Sequence, residues 1–140
     1  MKKSLLIIIA VVFVTAISSC KKETIVNNTN TNTTVIKTVR ANSWVLDQKQ
    51  GAYRVDLSVP QLDETYNDDG AVLVYMSFGL SSTNAPVYEQ LPQVFKGASF
   101  SYYHTDGKVV IFSQTPGGNP ALPPDQDVTV KIVLIDSVPQ

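Results

Sequence analysis

From Thr38 to Ile135, apolar residues repeatedly fall at every second position, and Gly, Pro, Asn and Asp break the pattern at short intervals. Tyr53, Val55, Leu57 and Val59 alternate with Arg54, Asp56 and Ser58 before Pro60 closes the run. Successive side chains leave opposite faces of a strand, so this alternation gives one apolar and one polar face. Val128, Val130, Ile132 and Leu134 repeat it, with Thr129, Lys131, Val133 and Ile135 on the other face. Ala71 to Phe78 is apolar nearly throughout, which predicts a central strand covered on both faces. Asp106-Gly107, between Phe100–Thr105 and Lys108–Ser113, is the sharpest hairpin signal in the chain. A two-residue turn there pairs His104 with Val109, Tyr102 with Ile111 and Phe100 with Ser113. Thr115 to Gln126 holds six Pro or Gly residues and reads as loop. No segment carries a helical apolar stripe over three turns; Gln61 to Tyr66 suits a single helical turn, since Asp63 and Glu64 fit a helix start. The expected fold is all-β, a single antiparallel β-sandwich or small barrel over residues 38–140.

Such a domain must hold itself together without staples. The chain has one cysteine, Cys20, so no disulfide framework exists within it. Roughly a hundred residues are enough for one core and too few for two. From Thr38 to Gln140, six Lys or Arg stand against eleven Asp or Glu, 6 − 11 = −5. Nucleic acid is therefore not an expected partner, since its phosphates call for clustered basic residues.

The first nineteen residues have the order of an export signal. Lys2 and Lys3 precede an apolar run from Leu5 to Ile17, and small residues follow. Thirteen residues are too few for a membrane-spanning helix, which needs about 20. Ile17-Ser18-Ser19-Cys20 resembles the lipobox of bacterial lipoproteins. The resemblance implies cleavage between Ser19 and Cys20, diacylglycerol on the Cys20 thiol and an acyl chain on the new amino group. No other cofactor is expected. Several long chains make a durable anchor, since each buried methylene contributes about 0.8 kcal/mol. Lys21 to Lys37, rich in Asn and Thr, reads as a flexible tether completing a 20–37 segment, with Val35 to Val39 open to belonging to the first strand. As a coil it would span about 20–25 Å.

A wider resemblance rests on Trp44, Tyr53, Val59-Pro60, Asp69-Gly70-Ala71-Val72-Leu73-Val74-Tyr75-Met76, Leu91-Pro92, the aromatic-rich Ser99 to Asp106 and the final Val130 to Ile135. Together they look like a set of small outer-membrane lipoproteins of Bacteroidota with a C-terminal β-domain of unknown function. The resemblance covers about residues 43–135 and implies the sheet fold, with Cys20 the one site residue carried over. Gln93 departs from it, standing where a tyrosine often follows the Leu-Pro. The triplet Asp136-Ser137-Val138 also resembles a short glycosylation site of exported Bacteroidota proteins.

Little in the domain suggests chemistry of its own, and no catalytic residue and no metal ligand is assigned. His104 is the single histidine, which rules out a multi-histidine metal site, and it sits beside a turn. No Gly-x-Ser-x-Gly elbow occurs. Asp63-Glu64, Asp68-Asp69 and Asp125/Asp127 lie in expected turns, where carboxylates solvate and cap backbone. Asn67-Asp68-Asp69-Gly70 lacks the spaced acidic series and distal Glu of a calcium loop. Aromatic residues are the candidates for binding: Tyr102, Tyr103, Trp44 and Tyr66 suit either a platform for a glycan or peptide, or core filling. Tyr102 and Tyr103, being adjacent, point to opposite faces. Val128 to Ile135 could pair with another chain if it lay at an edge, and is otherwise a covered central strand. The sequence thus predicts a lipid-anchored, non-catalytic domain with a structural or interaction role in the cell envelope. Its alternative is a surface glycan- or peptide-binding module using exposed tyrosines. Lys21 and Lys22 after Cys20 provide no inner-membrane retention aspartate. Outer membrane, periplasmic face before cell surface, is the expected location, with the membrane and a glycan or envelope protein as partners.

Overall fold

A computed structural model describes residues 32–79 and 84–137. Nine strands form: β1 (Thr33–Val39), β2 (Val45–Asp47), β3 (Ala52–Ser58), β4 (Ala71–Ser77), β5 (Glu89–Gln90), β6 (Gln93–Phe95), β7 (Ala98–Thr105), β8 (Lys108–Gln114) and β9 (Val128–Ile135). They make two sheets, ordered β1-β9-β4-β5 and β2-β3-β8-β7-β6, with every neighbouring pair antiparallel. The two sheets pack face to face, an all-β sandwich.

The core is what the alternation predicts. Val72, Val74 and Met76 of β4 and Val128, Val130, Ile132 and Leu134 of β9 point inward from one sheet. Val55, Leu57, Phe100, Val109 and Ile111 meet them from the other. Burying each such side chain contributes about 1.5–3 kcal/mol. One hydrophobic cluster, drawn from Val39 to Leu134, fills the space between the two sheets. The hairpin register is as expected, with Phe100 opposite Ser113, Tyr102 opposite Ile111 and His104 opposite Val109. β9 is flanked by β1 and β4, so the terminal strand is central and offers no edge to another chain.

Three local readings change. β1 starts at Thr33, so Thr33–Lys37, assigned above to the tether, belongs to the sheet. β9 supplies the template, pairing all seven residues of β1. The outer face of β4 is half-open, since Leu73 and Tyr75 are only partly buried. Lys131 reaches over it, its Nζ 4.6 Å from the Tyr75 ring centroid and 4.3 Å from that of Tyr88. The helical turn lies four residues later than expected, a π-type turn at Thr65–Asp69. Asp63 starts it, accepting a hydrogen bond from the Tyr66 N–H, and the Gly70 N–H closes it on the Thr65 carbonyl.

β1 is the long edge. β5, β2 and β6, at the other edges, have two or three residues each, while β1 has seven. Lys37 lies opposite buried Val130 and so faces inward. An inward charge on an edge strand obstructs a further strand from docking there.

Candidate functional site

The sandwich has two distinct ends. β1 runs from Thr33, opposite Leu134, to Val39, opposite Val128. The Asp106-Gly107 turn, the 65–69 turn and Asp136 cluster at the Thr33 end: the Gly107 N–H bonds the Leu62 carbonyl, and the Asp136 N–H bonds the Asn32 side chain. At the opposite end, about 20 Å away at the usual rise per strand residue, a cleft opens between the sheets.

The cleft has a volume of about 690 Å³, within the usual range for small-molecule sites. Phe78, Phe95, Ala98 and Phe100 make one wall, and Leu122, Pro123 and Pro124 of the 115–127 loop face them. Phe78 stacks on Phe95 with centroids 4.2 Å apart and tilts against Phe100 at 5.1 Å. Leu122 is 84 % exposed, an apolar side chain held out at the rim. Lys96 and Gly97 form the two-residue turn between β6 and β7, both with positive φ (49° and 82°). A non-glycine residue in this conformation is uncommon. It sets the Lys96 Nζ 5.4 Å from the Phe95 ring centroid, at the mouth. Asp125 contributes the opposite charge.

Behind the wall lies a group of polar atoms without partners. Among the described residues, the buried side-chain polar atoms with no hydrogen bond are Trp44 Nε1, Gln93 Nε2 and Ser113 Oγ. Gln93, Phe100 and Ser113 form one row across β6, β7 and β8, and Trp44 packs edge-on to Phe100 at 6.2 Å.

The four candidate aromatic residues do not assemble into one exposed platform. Trp44 is 7 % exposed, a core residue. Tyr102 turns inward, and its hydroxyl donates to the Val72 carbonyl at 2.7 Å, tying the two sheets together. Burial, with the Tyr75 phenol nearby, pushes its pKa up. Tyr66 packs partly buried against the core at the Thr33 end. Tyr103 alone of the four is exposed, at 43 %, on the outer face, 5.7 Å from Phe112. Beside that pair runs an ion chain, with Arg54 contacting Asp47 at 3.1 Å and Asp56 at 3.3 Å, and Lys108 reaching Asp56 at 3.8 Å.

Several of the remaining polar candidates are committed to structure. His104 Nδ1 meets Asn67 Oδ1 at 3.0 Å, joining the β7–β8 hairpin to the 65–69 turn. Asp127 accepts the Ala41 N–H, and Ser137 donates its hydroxyl to the Asp69 carbonyl. Among the described residues, no group of three or more His, Cys, Asp or Glu is placed to hold a metal. Ser19, Cys20 and the signal segment lie outside the described residues.

The cleft was not read from the sequence. Its walls come from residues 41–42, 78, 95–100 and 122–128, which no local pattern connects. The nearest signals are Phe95-Lys96-Gly97, where a lysine stands in a glycine-like turn position, and Leu122 between prolines in a loop. Comparison with protein families, curated proteins and solved structures finds no match to this chain.

Proposed function

We propose that this protein is a lipid-anchored binding module of the bacterial cell envelope, like the Bacteroidota lipoproteins it resembles, and does no chemistry of its own. Cys20 carries the anchor, in the outer membrane on its periplasmic face, and the cleft of the sandwich takes an apolar ligand. The observation that carries this reading is the placement of the cleft at the end remote from Thr33. A chain held at Cys20 has residues 21–32 as its link, at most about 45 Å long when stretched. The tether thus enters one end and the aromatic cleft opens at the other, clear of the bilayer.

Two measurements test it. Labelled fatty acid should appear on the protein, and Cys20→Ala should move it from the membrane to the soluble fraction. An apolar fluorescent dye such as N-phenylnaphthylamine should bind one-to-one, and Phe95→Asp should abolish binding without unfolding the domain. Unlabelled protein, or dye binding indifferent to Phe95, overturns the corresponding half.

A second reading is favoured by the Tyr103–Phe112 pair. The exposed Tyr103 ring and the half-buried Phe112, beside Arg54 and Asp56, offer a stacking face with hydrogen-bonding groups at hand, the arrangement a sugar ring needs. Glycan binding lost on Tyr103→Ala but kept on Phe95→Asp would favour this face over the cleft.

A further inference from the structure

We infer that the ligand of the cleft is amphipathic, with an apolar body and a neutral oxygen acceptor, such as an amide, ketone or alcohol, inserted first toward Trp44, Gln93 and Ser113. This rests on the cleft being the binding site, and adds the ligand's chemical class and orientation.

The register gives the depth. Phe95 pairs with Ala98 at the mouth; two pairs further in, Gln93 faces Phe100, and Phe100 faces Ser113. The three residues with unpartnered polar atoms are therefore all neighbours of Phe100, which lines the cleft and stands between it and them, so a ligand oxygen reaches them only past that ring. Buried polar groups are almost always satisfied, so three failures about one side chain call for an absent partner. The indole N–H and the amide N–H donate only, and the serine hydroxyl can do either, so the missing partner is an acceptor.

Charge narrows the class. Trp44, Gln93 and Ser113 are neutral, and no cation stands in their row. A carboxylate placed there would be desolvated without a counter-charge, which is far costlier than burying a neutral oxygen. Lys96 is at the mouth, over Phe95, and so meets only the outer end of a ligand. Between the two lie Phe78, Phe95 and Pro123-Pro124, which suit a hydrocarbon or aromatic body.

Trp44 is the sole tryptophan and packs on Phe100, so its emission reports the inner end of the site through that ring. The mature chain from residue 20 carrying Cys20→Ser keeps the whole sandwich and is the protein to titrate. Octanamide and 1-octanol should shift Trp44 emission and bind at least about 10-fold more tightly than octanoate at neutral pH. Ser113→Ala and Gln93→Leu should each shrink that preference while dye binding persists. Octanoate binding as tightly as octanamide, or a preference untouched by both substitutions, overturns the inference, the latter because ordered water would then be the partner of these groups. Dye binding without head-group preference sinks only this inference. Failure of dye and octyl probes alike sinks the cleft reading with it.

Discussion

Replacing Tyr102 with phenylalanine removes one oxygen and tests whether this ring serves the fold or a ligand. The Leu91 N–H bonds the Val74 carbonyl, so β4 turns that carbonyl away from β9. Carbonyls two residues apart on a strand point the same way, and the Val72 carbonyl is taken by the Tyr102 hydroxyl from the other sheet. Without that hydroxyl a buried acceptor loses its partner, at a cost of about 1–2 kcal/mol. In a domain of this size each 1 kcal/mol moves Tm by about 4–8 °C. The hydroxyl also gives a second readout. Burial raises its pKa, so the fold favours the neutral phenol. That contribution is fully present below the ordinary phenol value of about 10 and is lost as pH rises through the raised one. The stability gap between wild type and Tyr102→Phe, measured by urea unfolding, should therefore narrow as pH climbs above about 10. A variant that melts with wild type and keeps a parallel alkaline slope would refute the inter-sheet bond.

A Cβ at Gly70 would stand 2.5 Å from the Ile135 carbonyl oxygen and 3.0 Å from Tyr66 backbone. Gly70→Ala should accordingly cost about 1–3 kcal/mol in a thermal melt, and a neutral result would mean the 65–69 turn yields freely. Lys37→Val removes the inward charge from the β1 edge, and light scattering should show a higher mass than wild type at equal concentration; equal masses would show that Lys37 guards nothing. The Gln50 and Lys49 N–H groups and Arg54 hold the Asp47 carboxyl below its ordinary pKa. The stability this gives is present above the ordinary carboxylate value and lost as pH falls through the depressed one, so Asp47→Asn should flatten the acid limb of a urea-unfolding series.

How far the sequence could be read depended on how local each interaction is. Asp106-Gly107 fixes its own hairpin, and the register of seven residue pairs follows from two residues of turn. β1 was half-legible: Val35 to Val39 stood open as a strand, while Thr33-Thr34 announces none and joins one only by lying along β9. For Tyr102 and Tyr103 the opposition of faces was legible from adjacency alone, but which ring goes inward depends on the partner sheet. Trp44 looked available for binding because its burial comes from Phe100, fifty-six positions away. The cleft was hidden for the same reason in stronger form, since all its walls are non-local.

Charge divides the same two ends that the cleft and the start of β1 at Thr33 distinguish. Asp63, Glu64, Asp68, Asp69, Asp106 and Asp136 all lie at the end where Thr33 enters, tied there by the Leu62–Gly107, Gly70–Thr65 and Asn32–Asp136 bonds. For an anchored domain this end would face the bilayer. Repulsion from anionic headgroups acts over a Debye length of about 8 Å at physiological salt, far less than the roughly 45 Å reach of residues 21–32. It therefore does nothing while the domain floats free and acts only on close approach, where six carboxylates resist seating on the lipid. The cleft end carries fewer carboxylates, Asp125 and Asp127, with Lys96 at the same mouth. Charge and geometry would thus act against each other in an anchored domain: the entry of the chain at Asn32 would keep the acidic end nearer the anchor, while repulsion would hold that end off the lipid and leave the aromatic cleft open to the aqueous side.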